Sequence, residues 1–188
     1  AGHVVCCRVS TSALMDASGN YQGAFAMLTD ITEQKRWEEL ITAQRDLGLA
    51  LAGATSIQDS LRLCLAMAIR SAALDCGGIY LLDDEEGAFN LVAYEGITTA
   101  FADKVSLFAP DSPHVHLVKR KKPAYLSIRD KDFFIYEGIV GEGIQAVAVV
   151  PIRYRGRIIG NLNVASHSLP EISFFSRQVI EIVAAQIG

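Results

Sequence analysis

The 188-residue sequence predicts an α+β fold organised around an antiparallel β-sheet. Three observations carry that prediction. Residues 144–152 (IQAVAVVPI) form a nearly unbroken apolar run, the pattern of a strand buried on both faces. Arg155-Gly156 then supplies hairpin-turn chemistry before a return strand at 157–165, and a tight turn joins only antiparallel partners. Finally, the strand-like runs are interspersed with segments whose apolar residues recur at helical spacing, the longest at 31–52 and 57–74.

Taken in order, residues 3–12 alternate weakly and are β-prone, Asp16-Ala17-Ser18-Gly19-Asn20 is turn chemistry, and 21–28 is a second strand-like run. Together they read as a hairpin. Asp30 or Thr32 caps the helix that follows, with Glu33 in its first turn. The next helix carries Leu61, Cys64, Leu65, Ala68, Ile69 and Ala72 on one face, and Gly77-Gly78 is expected to break it. Residues 79–82 and 88–94 form a hairpin across the acidic turn 83–87. Short helices are expected at 98–104 and 113–121, a strand at 124–128, and irregular chain at 131–143, where Phe133, Phe134 and Tyr136 stand in place of the usual loop polarity. A loop at 168–173 leads to a closing helix over 174–187, with Phe175, Val179, Ile182, Val183 and Gln186 inward.

Composition excludes several classes. Apolar residues make up 51% of the chain, enough for a real core. Mean hydropathy is +0.26, yet the longest uncharged stretches fall well short of the ~20 apolar residues of a membrane span. A net charge of −4 argues against a nucleic-acid partner. Cys6, Cys7, Cys64 and Cys76 have no metal-binding spacing and suggest a reducing, cytoplasmic setting, with Cys64 and Cys76 as small core residues.

In the first long helix Trp37, Leu40, Gln44, Leu47 and Leu51 recur at steps of 3, 4, 3 and 4. This narrow stripe fits a parallel homodimer seam with signalling register, or an amphipathic helix packed on its own domain. Two heptads do not decide between them.

Two stretches resemble known families. Residues 10–14, Asp16-Ala17-Ser18-Gly19, Gly23 and Thr29-Asp30-Ile31-Thr32-Glu33-Gln34-Lys35 resemble the final strands and exit signature of a PAS domain. Val149-Val150-Pro151-Ile152, Gly156, Ile159-Gly160-Asn161-Leu162-Asn163-Val164, the closing helix at 179–186 and Lys121-Lys122-Pro123 resemble a GAF domain. The division implied is a truncated PAS hairpin at 1–30, a connecting helix at 31–53 and a GAF domain at 54–188. A GAF resemblance implies about six antiparallel strands with helices on both faces, dimerising helices on one side and a ligand pocket under short helices on the other. It further implies a regulatory module of a bacterial-type, sensor-kinase-like protein that binds a small molecule, dimerises, or both, and relays to an output domain beyond Gly188.

No catalytic triad, metal spacing or phosphate loop is present, so an enzyme is not expected. Ser112-Pro113-His114-Val115-His116 is the only histidine cluster, and neither metal nor haem is expected there. Bilin-binding relatives attach their chromophore through a Cys just before a His; here Pro113 and Val115 hold those places, so no covalent bilin is expected. The aromatics Phe101, Phe108, Tyr125, Phe133, Phe134 and Tyr136 fall where the resemblance puts the pocket cover. They either fill their own space or surround a ligand oriented by Tyr80, Tyr94, His114 or Gln145. The candidate pocket residues are therefore Tyr80, Tyr94, Phe101, His114, Tyr125, Phe134, Tyr136 and Gln145. Asn161 and Asn163, two apart, face one side of their strand. Arg153, Arg155 and Arg157 at a hairpin tip, and the run 119–122, could attract an anion or simply solvate loops.

Overall fold

The computed structural model describes residues 5–130, 139 and 141–188, which divide into two compact units, 1–44 and 45–188. In the first unit β1 (Cys7–Met15) pairs antiparallel with β2 (Tyr21–Asp30). The Asp16 carboxylate builds the turn, accepting hydrogen bonds from the amides of Ser18 and Asn20 at 2.8 and 2.9 Å, while Gly19 takes φ 83°. Apart from half-buried Gly23, every residue of the two strands is exposed. Asp30 then accepts from the amide and hydroxyl of Thr32, fixing the start of α1 (Thr32–Ala52), which is shared between the two units.

Along α1, Leu40 and Leu47 are buried and Trp37, Gln44 and Leu51 half-buried, so the stripe of 3- and 4-residue steps is the least exposed side of the helix.

The second unit is built on six antiparallel strands in the order β5-β4-β3-β8-β7-β6: β3 (Cys76–Leu82), β4 (Phe89–Glu95), β5 (Leu107–Phe108), β6 (Ala124–Ser127), β7 (Ala146–Tyr154) and β8 (Arg157–Ser166). Helices cover both faces, α2 (Ile57–Ser71) and α5 (Phe174–Ile187) on one, α3 (Thr99–Lys104) and α4 (Pro113–Lys119) on the other. Ser56, Thr98, Ser112 and Ser173 cap α2, α3, α4 and α5, each in extended backbone with its hydroxyl accepting an amide of the first turn. The expected continuous apolar strand is buried on both faces through Ile152.

Strand parity assigns every side chain of the central strands to one of two layers. Ile79, Leu162, Val164, Ala148 and Val150 share the α2/α5 layer, since Gly77, in register with Val164, lies against Leu65 of α2. Cys76, Tyr80, Ala165, Val147 and Val149 face the α3/α4 layer and cluster with Phe101, Val115 and Val118. No helix among the described residues is long and apolar enough to cross a membrane.

Two expectations need correction. Gly77-Gly78 does not break a helix: α2 ends at Ser71, the chain turns through Ala73 at φ 52°, and both glycines lie inside β3. They serve close approach, because a Cβ on Gly77 would sit 2.5 Å from the Asn163 carbonyl oxygen of β8. The short edge strand β5 was not anticipated in a segment read as a loop; two residues carry no periodicity. The expected irregular segment at 131–143 lies largely outside the described residues.

Gly160 tests the central approach, since a Cβ there would collide with the Tyr80 carbonyl oxygen across the ladder. Gly160→Ala should lower unfolding free energy by roughly 2–3 kcal/mol, whereas Gly48→Ala, in open space on α1, should be neutral or gain about 0.5–1 kcal/mol from helix propensity. Urea denaturation midpoints check both; equal effects would contradict the packing described.

Candidate functional site

The α3/α4 face of the sheet contains a cavity of about 50 Å³. Its walls are mainly apolar: Phe101 and Val105 come from α3 and the turn after it, Phe108 from β5, Ile139 and Ile144 from the approach to β7, and Val147 from β7 itself. Gly77 and Gly78 let the strand backbone form part of the floor. The polar contribution is small, chiefly Asn163 and the thiol of Cys76. Ordinary small-molecule sites run to ~300–1,000 Å³, so this space suits a molecule of a few heavy atoms unless side chains move.

Beside the cavity three rings pack together. His114 stacks on Phe108 with centroids 3.9 Å apart and planes 19° from parallel, and Tyr80 meets both at 5.0 and 5.7 Å. His114 is only 2% exposed. Burial pushes its imidazole down to about 4, against a smaller upward pull from Asn161, so it is neutral at pH 7. Asn161 donates from Nδ2 to Asn163 Oδ1 at 2.7 Å, and its side chain also bonds the His114 ring, the source of that upward pull. The two asparagines are therefore joined along one strand face.

Cys76 Sγ lies 3.8 Å from the Ala165 carbonyl oxygen and 3.9 Å from His167 Nε2. Burial, joined by the nearby carboxylates of Asp75 and Glu142, pushes its thiol up to about 12. It is a protonated wall group, not a poised nucleophile. Asp75 accepts from the Ser166 hydroxyl at 2.6 Å and the His167 amide at 2.7 Å, pinning the end of β8; these bonds, led by the hydroxyl, hold its carboxyl below the usual range. No cluster of three metal-ligating side chains exists among the described residues.

Of the candidate pocket residues, Tyr80 and Phe101 line the cavity and His114 stacks behind it. Tyr94 projects from the end of β4 and is 46% exposed, outside the lining. Gln145 is also outside it, and its backbone instead bridges Ile128 and Ser166. Tyr125 belongs to the opposite layer. Its register partner is Ala148, and its hydroxyl donates to Glu181 of α5 while Arg177 lies 4.6 Å over its ring. Parity places its neighbours Ala124 and Leu126 on the cavity side instead. Phe134 and Tyr136, like Phe133, lie outside the described residues. Trp37, Leu40, Gln44, Leu47 and Leu51 all lie on α1, away from the cavity lining. At the hairpin tip Arg155 lies over Tyr154 at 5.2 Å and Arg157 reaches Asp84 at 3.8 Å, both well exposed.

Sequence reasoning missed Cys76 and Asn163 as cavity walls. The signal for Asn163 was its two-residue spacing from Asn161; Cys76 reads from sequence only as a small core residue.

The family model described as a GAF domain matches residues 54–188. Among solved structures, the chain is similar to a domain of a protein described as a two-component sensor histidine kinase from Sinorhizobium meliloti, at 25% identity and TM-score 0.59, covering 72% of this chain and 90% of that one. The GAF domain of a phosphoenolpyruvate-protein phosphotransferase from Coxiella burnetii is 15% identical with TM-score 0.68, covering 79% and 89%. A phycocyanobilin-bound GAF domain from a cyanobacterial phytochrome is 15% identical with TM-score 0.64, covering 79% and 91%. No curated protein matches the chain.

The buried imidazole yields a pH prediction. Its folded-state value, about 4, lies below the ordinary 6.5, so the unfolded chain takes up a proton first as pH falls. Stability from this group is complete above pH 6.5 and is lost as pH falls towards 4. Between pH 7 and pH 5 the loss should be on the order of 1–2 kcal/mol. His114→Gln should flatten that interval of the denaturation profile, and an unchanged slope would refute the assignment.

Proposed function

The chain belongs to the GAF family over residues 54–188, a family of sensory and regulatory signalling modules, and from that premise we propose that it regulates a multidomain signalling protein by taking a small ligand into the α3/α4-side cavity. The observation that carries this reading is the cavity itself: apolar walls, a single buried asparagine pair, and aromatic rings at its side. Its size favours a compact apolar ligand over a nucleotide, a haem or a bilin, with Asn163 offering a hydrogen-bonding group.

In this reading α1 is the output or input shaft. It is a single helix over Thr32–Ala52, along which a change can be carried. The hairpin, which resembles the end of a PAS domain, supplies the upstream attachment; two strands exposed on both faces are marginal alone and need covering. The sensor-kinase description of the Sinorhizobium meliloti neighbour supports a kinase-type signalling setting.

A second reading is a ligand-free interaction module, favoured by the cavity being so small that its aromatics nearly fill it. Both readings are non-catalytic, which fits a Cys76 that stays a thiol and a His114 stacked on Phe108.

Xenon distinguishes the two readings, since dry apolar cavities take it up. We expect ¹²⁹Xe NMR to show saturable binding that is lost in Ala165→Leu, which fills the cavity from β8. Native mass spectrometry of freshly purified protein should retain a small added mass. Absence of both signals favours the ligand-free module.

A further inference from the structure

At the solvent side of the cavity two segments distant in sequence are fastened together. Glu142 accepts hydrogen bonds from Thr98 through both carboxylate oxygens, at 2.6 Å from the amide and 2.7 Å from the hydroxyl. Thr98 is itself the N-cap of α3. Each partner stands next to the walls: Ile97 and Phe101 flank Thr98, and Ile139 and Ile144 bracket Glu142. Thr98 is exposed and Glu142 half-exposed, so their contact lies one residue outside the apolar lining on both sides.

Two basic side chains also bear on the carboxylate. His167, at the end of β8, and Lys104, at the end of α3, both favour its charge. His167 in turn stands 3.9 Å from Sγ of Cys76, a cavity wall. Nothing in the fold requires this clasp for sheet pairing, since both segments are loops flanking complete elements.

We propose that the Glu142–Thr98 clasp is the gate of the cavity, and that a ligand enters when residues 141–144 lift from the N-terminus of α3. This rests on the ligand-binding reading above, and it places regulation of access in two hydrogen bonds. Partner or ligand groups that compete for the Glu142 carboxylate, or for the Thr98 amide, would open the site.

Cys76 is a built-in reporter, because it is a cavity wall and fully buried. Cys64, buried on α2 in the opposite layer, reports general unfolding in the same molecule. In the full chain with Cys6→Ser and Cys7→Ser, labelling by methyl methanethiosulfonate is followed at both thiols by peptide mass spectrometry. Glu142→Ala should speed labelling of Cys76 by about tenfold while Cys64 changes by less than about twofold. Because the Glu142 charge also holds the Cys76 thiol up, Thr98→Val, which breaks the clasp but keeps that carboxylate, should give a smaller rise confined to Cys76. Unchanged Cys76 rates in either variant, or equal acceleration of both thiols, would overturn the proposal. No ligand is needed for this measurement, so its failure is separable from failure of the xenon experiment.

Discussion

The close approach of β3 to β8 is the constraint on which the GAF unit rests. Where Gly77 meets the Asn163 carbonyl and Gly160 meets that of Tyr80, there is no room for a side chain. Both glycines face the α2/α5 layer by parity, so the helices above them settle close to bare backbone, with Leu65 of α2 reaching Gly77. On the opposite face the same strands project Cys76, Tyr80, Asn161 and Asn163. A tight layer and a hollow layer thus share one pair of strands, and the hollow side holds the cavity.

The hollow layer carries its polar groups at a cost that geometry partly offsets. Leaving a buried amide group unpartnered costs roughly 1–3 kcal/mol, and Asn161 limits that cost by donating its Nδ2 to Asn163 and lying against the His114 ring. His114 escapes a larger penalty by remaining neutral. A core selected only for stability would place apolar residues at these positions. The polar line through Asn161 and Asn163 is instead consistent with a layer kept able to recognise a hydrogen-bonding group.

Much of the fold was legible because burial writes itself as periodicity. The apolar run of β7, the hairpin turn at Arg155-Gly156 and the helical stripe of α2 each convert directly into an observed element. The cavity was less legible, because its walls come from segments far apart in the chain. Tyr125 looked like a pocket aromatic by neighbourhood, yet one residue of parity turned it towards Glu181. Gly77-Gly78 looked like a helix stop because the need for close approach is visible only when β8 is in place. The Glu142 clasp joins residues 44 positions apart and has no local signature at all.

Sharing strands between the two layers also bears on how a signal leaves the cavity. A ligand larger than about 50 Å³ must displace either the cover or the floor. The floor cannot yield inward, since Gly77 and Gly160 already hold β3 and β8 at contact and α2 and α5 pack behind them. Displacement therefore falls on the cover, where short α3, the two-residue β5 and the Glu142 clasp carry few bonds. For that motion to reach α2 and α5 it must act through strand twist or through side contacts such as Tyr125 with Glu181 and Arg177, which tie edge strand β6 to α5. The edge of the sheet, rather than its centre, is the mechanically soft route between a filled cavity and the helical face.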